Sequence, residues 1–448
     1  MSSRTGAGAD ITSATHPFVE ALAAGGRALP RSPASWLNLR RAMALERANA
    51  LSVPTTRDEE WRFTDLAPLN RLRVEALDIA APLVDIAPYA VPEAALRLTF
   101  VDGVYSQPLS SRGALPAGVT VSTLVEGLAA NPALMGPHLA AHAPFEQQLF
   151  TALNTAWLRD GAFVHIAQNC TLREPLHLLF VAARKDAATS PRCLIVAAAG
   201  AECTVIEDYV AATADAYFTN AVTEIVIQPQ ARVRHVRLQR ESSQAIHIAS
   251  CAVSLAQDAS YVSQSIAFGA RLSRYNLDVL HNGEGADAAI DGLALISGQQ
   301  LADTHTTMDH AQAHGRCTQL HKTIVGGAAH AVFNGKVLVR KRAQLTNSAQ
   351  QSRNLLLSPN ARVDTKPQLE IFADDVKCAH GATVGQLDAE QLFYLASRGL
   401  PDIQARNLLT YAFGAEIVDR IPVKSLVAQL ERIVMAQTAH GANTQAVA

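Results

Sequence analysis

The sequence lacks the features that would place it at once among secreted or membrane proteins. Its six cysteines are scattered over 448 residues, and no two of them form a C-x-x-C pair. Disulfide-stabilised scaffolds are far denser in cysteine, so we expect reduced thiols. No apolar run reaches the roughly 18–20 residues of a membrane-spanning helix, and the N-terminal residues lack the apolar core of a secretory signal. We therefore expect a cytoplasmic protein that does not enter a membrane.

Charged and aromatic residues are also sparse. Only 17% of the residues are charged, and the formal net charge is −2. Without a basic surplus, neither nucleic acid nor an anionic membrane is an expected partner. The phosphate-loop pattern G-x-x-x-x-G-K-[ST] is absent, so another chain must hydrolyse any ATP that drives the function.

Hydrophobic residues are plentiful, at 49%, and the chain is longer than one compact core usually needs. We expect three units along the chain. A mostly helical N-terminal region covers residues 1–150, of which residues 1–16 are predicted to be a flexible tail. A β-rich core covers residues 151–385, and a helical region covers residues 386–448.

Within the N-terminal region, local patterns predict two elements. Helical spacing predicts a helix from Ser35 to about Pro54 that places Leu39, Met43 and Leu51 near one apolar face. Farther on, the pair Asp102-Gly103 separates two alternating segments and predicts a β-hairpin.

From about Phe163 onward, short apolar strands alternate with turns that contain an alanine or a glycine. These small residues recur at intervals of 30, 28, 27, 29, 28, 18 and 21 in the series Ala201, Ala231, Ala259, Ala286, Gly315, Ala343, Ala361 and Ala382. Strand-rich repeats of nearly constant length are typical of solenoids, whose stacked turns bury a shared apolar face. They predict a mainly β fold with a right-handed parallel β-helix core flanked by N-terminal and C-terminal helical regions. A pair of β-sandwiches is the alternative, although its hairpin signals, expected about every 8–12 residues, are sparse.

The helical period resumes near the C-terminus. Asp388 is placed to cap one helix, which Gly399 ends, and a second helix runs from Pro401 to about Ile421. Pro422 separates a third helix. A helical end of this kind either packs on its own domain or forms a docking surface for a partner, and the pattern leaves both open.

Two motifs in the sequence contain residue types that bind ligands in other proteins. GEGADA (Gly283–Ala288) fits the dinucleotide fingerprint, but the segment after it is too short and glycine-broken for the required helix. A second group mixes imidazoles with a thiol and suits zinc or iron. Its spacing fits solenoid turns poorly, so we expect a ladder of hydrogen-bonded imidazoles rather than a metal site from His305, His310, His314, Cys317, His321 and His330.

A parallel β-helix can also carry an enzyme site, and a carbohydrate-active or metal-dependent enzyme is therefore the alternative function. That function needs convergent carboxylates or a bound cation. Asp374 and Asp375 are adjacent, so on a strand they face opposite sides and cannot act as a pair. Aromatic residues that could stack on sugars make up only 5% of the chain.

Cys378 and His380 lie where the β-rich pattern gives way to helix. On an extended strand, residues i and i+2 project to the same side, so this thiolate and imidazole can reach one ligand. Thiolate suits iron–sulfur species, and imidazole can complete iron coordination. Stable clusters usually have four protein ligands, so we expect a transient site that is shared with another chain.

The surrounding sequence resembles a known family. The stretch TKPQLEIFADDVKCAHGATVG (365–385), together with AVFNGKVLV (331–339), NLLLSPNARVD (354–364) and LFYLASRGL (392–400), resembles the SufB/SufD family of iron–sulfur cluster assembly proteins. The form DDVKCAHGAT is most like the SufD branch. PTTRDEEWRFTDLAPL (54–69), which composition alone predicts to be a surface segment held by aromatics, also resembles the entry segment of that branch.

This resemblance implies a fold, partners and a site. It implies a β-helix core with flanking helices and a non-catalytic scaffold role in a SufBCD complex, where the chain pairs with SufB and binds the ATPase SufC. A homodimer is possible when SufB is absent. Cys378 and His380 would be ligands of a transient nascent cluster or its iron at the SufB interface, with no cofactor held stably by the isolated chain. Residues 388–421 would dock SufC.

Overall fold

The computed structural model describes residues 16–76 and 82–443, so the flexible tail predicted for residues 1–16 lies almost wholly outside the described residues. The fold is mainly β, and its centre is a parallel β-solenoid of about eight turns, which confirms the fold class predicted from the repeat. Helices lie on either side of the solenoid in sequence. The β-sandwich alternative is wrong, because the long strands pair in parallel with the strand one turn away.

The elements follow the chain in this order. The helices are α1 (Pro17–Arg27), α2 (Ser35–Ala50), α3 (Leu124–Ala130), α4 (Pro132–Met135), α5 (Leu149–Ala156), α6 (Ala389–Ser397), α7 (Asp402–Val418) and α8 (Lys424–Asn443), with short 3-10 helices at Glu59–Trp61, Ala67–Arg71 and Ala87–Tyr89. The strands are β1 (Glu75–Ala76), β2 (Leu96–Val101), β3 (Val104–Tyr105), β4 (Ser111–Arg112), β5 (Val119–Thr123), β6 (Gly161–Ile166), β7 (Leu176–Ala182), β8 (Ala187–Thr189), β9 (Arg192–Ala197), β10 (Glu202–Ala211), β11 (Phe218–Ile227), β12 (Arg232–Arg240), β13 (Ile246–Leu255), β14 (Ser260–Ala267), β15 (Leu272–His281), β16 (Asp287–Ile296), β17 (Leu301–His310), β18 (Arg316–Val325), β19 (His330–Val339), β20 (Asn347–Leu356), β21 (Arg362–Ile371) and β22 (Lys377–Gly385).

Each turn of the solenoid contributes one strand to each of two long sheets. In sheet A, β6 is followed by the odd-numbered strands from β9 to β21; in sheet B, β7 is followed by the even-numbered strands from β10 to β22. Strands of successive turns pair in register, so equivalent side chains stack on one another. One interior column consists of Val253, Val279, Met308 and Val337, all of which are buried. A turn alone could not bury these side chains, and stacking gives them a continuous core.

The small residues of the repeat lie at the corner that leads into sheet B. Ala201, Ala231, Ala259, Ala286 and Ala343 are buried in the solenoid interior, where a larger side chain would meet the stacked core. The last two members of the predicted series are wrong. Ala361 lies at the opposite corner, before β21, and Ala382 lies within β22. The true successor is Ala373, which is buried and follows Ala343 after 30 residues.

The N-terminal region packs mainly on sheet A and extends both sheets. The predicted hairpin is confirmed, since Val101 pairs with Val104 across a turn in which Asp102 and Gly103 both have positive φ. The predicted helix from Ser35 is also confirmed, but its predicted buried face is wrong. Leu39 and Met43 are 62% and 50% exposed, and α2 instead buries a narrower stripe of Leu37, Ala44 and Ala48.

The C-terminal helices pack on the outer face of sheet B. Ile417 of α7 and Leu426 and Leu430 of α8 are buried against apolar side chains of the even-numbered strands. Each fully buried Leu or Ile contributes about 2 kcal/mol to the free energy of unfolding, so these helices belong to the folded unit. The predicted cap of α6 is confirmed, because the Asp388 carboxylate accepts a hydrogen bond from the Glu390 N–H at 2.8 Å.

None of the helices in the described ranges combines the length and the apolar character that crossing a lipid bilayer requires.

Candidate functional site

The solenoid ends at an open turn formed by β21 and β22. Within the described residues, β21 pairs only with β19, and β22 pairs only with β20. Val384 on β22 and Phe372 in the adjoining loop are 53% and 62% exposed. Unpaired backbone N–H and C=O groups beside exposed apolar side chains are typical of an edge that pairs with another chain.

Cys378 and His380 lie on β22, two residues apart, as the sequence predicts. Their register partners on β20 are Ser348 and Gln350, both of which are buried in the solenoid. Cys378 also packs against the interior core. The thiol and the imidazole therefore project from the interior side of the last strand, at the end that no further described turn covers.

Cys378 is half-buried and protonated at neutral pH. Burial raises the pKa of its thiol, and a hydrogen bond from the backbone of Ser348 offsets this only in part. A thiol must lose its proton to become a metal ligand. Binding of iron at Cys378 therefore releases a proton, which makes the site weaker as the pH falls.

A polar floor lies one and two turns below His380. Gln350 stacks directly on Gln319, with Nε2 of the former 3.4 Å from Oε1 of the latter. The Thr306 hydroxyl donates to the same Oε1 at 2.9 Å. Oε1 of Gln350 and Oγ of Ser348 are buried without a hydrogen-bond partner among the described residues. A buried acceptor without a partner is stabilised by any donor within reach, so these two groups can orient a side chain that lies above them.

The sequence reasoning missed this floor, although the signal was present. Gln319, Gln350 and His380 are separated by 31 and 30 residues, which is the length of one turn. In a solenoid of that period, residues one period apart stack on each other. The repeat could therefore have placed both amides beneath the imidazole.

Two protein ligands are too few to hold a metal cluster firmly. In the part of the chain that the structure describes, no three His, Cys, Asp or Glu side chains are grouped so as to hold a metal ion. The pair can bind iron or a cluster durably only if further ligands come from outside the chain.

The other five cysteines are buried or half-buried. Cys193, Cys203, Cys251 and Cys317 are buried, and burial raises the pKa of each thiol, to about 12 in Cys203 and Cys317. Cys170 is half-buried and donates weakly to the carbonyl of Ala117. A thiol with a raised pKa is a poor nucleophile and a poor ligand at neutral pH.

The predicted ladder of imidazoles is wrong. Among the described residues the histidines of this group occupy separate environments, because successive turns place them on different faces. Each buried ring contacts one aromatic partner: His310 lies edge to face with His281, and His321 stacks on Phe333. The other three lie beside carboxylates: His305 beside Asp303 and Glu60, His314 beside Glu284, and His330 beside Asp364. The rejection of the dinucleotide fingerprint at residues 283–288 is confirmed, since strand β16 follows it instead of a helix.

Residues 54–69 cross the outer face of sheet A, and we call this segment the strap. Trp61 packs beside Phe150, with ring centroids 5.6 Å apart, and beneath the guanidinium of Arg274. The Thr64 hydroxyl donates to Asp303 at 2.5 Å. The prediction of a surface segment held by aromatics is therefore incomplete, because buried polar contacts hold the strap as well.

Several large apolar side chains of α6 and of the first half of α7 are exposed. α6 has no buried residue, and its Phe393 is 76% exposed. Tyr394, Ile403 and Leu408 are also more than one-third exposed. We call these four residues the helix patch. The run LFY on α6 signals it in the sequence, because three consecutive bulky apolar residues cannot all lie on one buried helix face.

Comparison with family models gives two adjoining matches. The SufBD protein N-terminal region matches residues 14–178. The core domain of SufBD, described as SUF system FeS cluster assembly, matches residues 180–413. The second match covers most of the solenoid, the open turn and the helix patch.

Curated relatives match along most of their length. The iron–sulfur cluster assembly SufBD family protein slr0076 of Synechocystis is 40% identical over 415 residues, covering 89% of this chain and 90% of that protein. SufD of Escherichia coli is 33% identical over 387 residues, covering 84% and 88% of the two chains. The chloroplastic protein ABCI7 of Arabidopsis thaliana is 30% identical over 424 residues, covering 92% and 88%.

Proposed function

Because the chain belongs to the SufBD family of iron–sulfur cluster assembly proteins, we propose that it is a non-catalytic, cytoplasmic scaffold subunit of a SufBCD complex. Its role is to present ligands and docking surfaces, and the hydrolysis of ATP falls to a partner. The absence of a phosphate-loop pattern from the sequence supports this division of labour.

The open turn carries the proposal. It places exposed strand edges, exposed apolar side chains and the Cys378–His380 pair on one end of the solenoid. Pairing of this end with the equivalent end of SufB would satisfy the unpaired backbone groups and bring the partner's ligands to the same place. Where SufB is absent, the same edges allow two copies of this chain to pair as a homodimer.

The cluster is cargo at this site. Cys378 supplies a thiolate after losing its proton, and His380 supplies an imidazole from the same side of β22. Each side chain occupies one coordination position, and the positions that remain need ligands from SufB. Because the chain alone offers two ligands, the isolated subunit retains no cluster. Release of the cluster from the complex to an acceptor protein then requires only a few metal–ligand bonds to break.

The helix patch supports a second contact, with the ATPase SufC. Phe393 and its neighbours expose aromatic and aliphatic surface on α6, which contacts α7, and on α7, which is anchored to sheet B. Exposed aromatic residues of this kind are common energetic centres of protein interfaces. Because α7 packs on sheet B, a nucleotide-driven partner bound at these helices would transmit its movement to the solenoid through α7.

The test is reconstitution of the complex with SufB and SufC from the same source. We expect the double variant Cys378→Ala/His380→Ala to form the complex but to lose most of the iron and sulfide bound after assembly. Cys170→Ala is the matched control, since it removes a half-buried thiol far from the open turn in sequence. Wild-type iron and sulfide in the double variant would refute the ligand assignment, and failure to co-purify with SufB and SufC would refute the scaffold role.

A further inference from the structure

A cavity of about 380 Å³ lies between the strap and the outer face of sheet A. It is separate from the Cys378–His380 pair, because its floor is the outer face of sheet A, whereas that pair projects from the interior side of β22 in sheet B. Pockets that hold small molecules in proteins usually have volumes of about 300–1,000 Å³. The volume therefore suits a ligand at the small end of that range.

The floor of the cavity is a grid of polar side chains from β15, β17 and β19. One row, in register across the three strands, contains Asn276, His305 and Asn334. The next row contains Asp278, Thr307 and Lys336. Neighbouring strands lie about 4.8 Å apart, so a single small molecule can contact several members of the grid at once.

The cationic side chains of this cavity are already matched by carboxylates. Arg274 lies 2.7 Å from Asp303, and Lys336 lies 2.7 Å from Glu370. Both ring nitrogens of His305 face carboxylates, at 3.0 Å from Asp303 and 3.2 Å from Glu60. Burial disfavours its charged form, but Asp303 and Glu60 outweigh burial and leave the pKa of His305 raised.

One hydrogen-bond acceptor on the floor, by contrast, is left without a partner among the described residues. Asn334 is buried, and its Oδ1 has no hydrogen-bond partner in the described part of the chain. Burial raises the pKa of Asp278, which the Thr307 hydroxyl and the more distant charges of His305 and Arg274 offset only in part. A buried acceptor without a donor destabilises the protein, and a ligand that donates a hydrogen bond removes that penalty.

The charges on the floor disfavour a charged ligand of either sign. An anion would meet Asp278 and Glu60 and would have to compete for cations that are already paired. A cation would meet Arg274, His305 and Lys336 within a few strand spacings. An uncharged molecule with several hydroxyl donors meets neither obstacle.

One side of the cavity is apolar and suits the carbon skeleton of such a molecule. Pro54 and Trp61 from the strap and Leu149 and Phe150 from the start of α5 line one side of the cavity. Ligand pockets commonly combine apolar walls with a few polar groups that fix orientation. A small ring with C–H groups on its faces and hydroxyls at its edge matches both surfaces.

We propose that this cavity binds an uncharged, hydroxyl-rich molecule of monosaccharide size, held by Asn334 and Asp278 beneath the strap. The site is independent of cluster assembly at the open turn, so neither proposal stands or falls with the other. Its ligand adds contacts between the strap and sheet A and stabilises the N-terminal region on the solenoid.

Calorimetric titration of the full chain with glucose, galactose, mannose and xylose tests this proposal. We expect at least one of these sugars to bind with a Kd of about 1 mM or below. Glucosamine is positively charged and glucuronate is negatively charged, and both are close to glucose in size. We expect each of them to bind at least about ten-fold more weakly than glucose. Binding by a charged analogue as tightly as by its neutral parent would overturn the assignment of ligand class.

Two variants locate the site. Asn334→Ala removes the unpaired acceptor, and Asp278→Asn replaces the acid at nearly constant shape; each is expected to weaken binding about ten-fold. The matched control is Asp309→Asn, on the same face of β17 but outside the cavity, where the carboxylate pairs with Arg340 at the surface. Thermal melting of each variant verifies its fold. No binding of any neutral sugar to the wild-type chain, or unchanged affinity in both variants, would overturn the proposal.

Discussion

The imidazoles of His281 and His310 lie edge to face inside the solenoid, with ring centroids 4.5 Å apart. They occupy the same position on β15 and β17, one turn apart. Both are fully buried, and none of their ring nitrogens has a hydrogen-bond partner among the described residues. Two imidazoles held in this way must stay neutral, and their protonation is therefore coupled to unfolding.

This coupling predicts a loss of stability in mild acid. Burial lowers the pKa of His281 to about 3 and that of His310 to about 4, from an ordinary value of 6.5. Below that ordinary value the unfolded chain takes up protons that the folded chain excludes. The free energy of unfolding therefore falls as the pH falls from 6.5 towards 4, by about 2 kcal/mol per histidine near pH 5.

Chemical unfolding of His310→Leu at neutral and mildly acidic pH checks this expectation. The register neighbour of His310 on β19 is Val339, so an aliphatic side chain suits the column. We expect a shallower loss of stability in acid than in the wild type, whereas the control Val339→Ala, which changes the packing of the same column without removing a titratable group, keeps the wild-type slope. Equal slopes in His310→Leu and the wild type would contradict the assignment.

Gly315 is required because both of these imidazoles approach its Cα closely. A Cβ at this position would lie 2.7 Å from Nδ1 of His281 and 2.7 Å from Nδ1 of His310. Both rings are held by the packed core, so Gly315→Ala is expected to lower the free energy of unfolding by about 1–3 kcal/mol. Gly385→Ala is the control, since nothing lies within 4 Å of its added Cβ. Equal midpoints of thermal unfolding for the two variants would contradict this expectation and show that the two imidazole rings can move aside.

The cysteines are predicted to differ in reactivity towards iodoacetamide. Cys378 is accessible but has a raised pKa, so its alkylation should be slower than that of a free thiol at neutral pH and should accelerate as the pH rises past 9. Cys203 and Cys317 should not react in the folded chain, because both are buried. Mass spectrometry of the digested protein after timed exposure measures each rate. Rapid labelling of Cys317 in the native protein would contradict the packing of the interior.

Docking of the ATPase can be tested without disturbing the fold. Truncation after residue 399 would remove α7 and α8 and expose the apolar face of sheet B that they cover, so point variants are preferable. Phe393→Ser changes a side chain that is 76% exposed, and we expect it to weaken SufC binding at least about ten-fold. Glu390→Gln is the control on the same helix. Wild-type binding by Phe393→Ser in a quantitative pull-down would remove the helix patch from the interface.

The repeat shows how much of the fold could be read from the sequence. Five intervals of nearly equal length predicted stacked turns because one buried small residue is needed at the same corner each time. The prediction failed at its last two members, after the longer loop that precedes β20. Ala361 then matched the pattern by composition alone, while Ala373, the true member of the series, was passed over.

Helix α2 shows a different limit. Its extent follows from local propensity and a proline, which act within a few residues. Its buried face does not, because Leu37 and Leu39 are equally apolar and only the partner surface decides between them. Packing against α5 and the strap region chose the side with Ala44 and Ala48, whose small side chains allow close approach.

By itself, the sequence determined the mainly β solenoid, the order of its regions and the placement of Cys378 and His380 on one side of a strand. These features depend on local period and on spacing along the chain. Only the tertiary structure decided that the strap closes a cavity over Asn334, since Pro54 and Asn334 both line that cavity, and packing alone brings together residues 280 positions apart. Spacing predicts which residues can share a strand, and packing decides what lies against them.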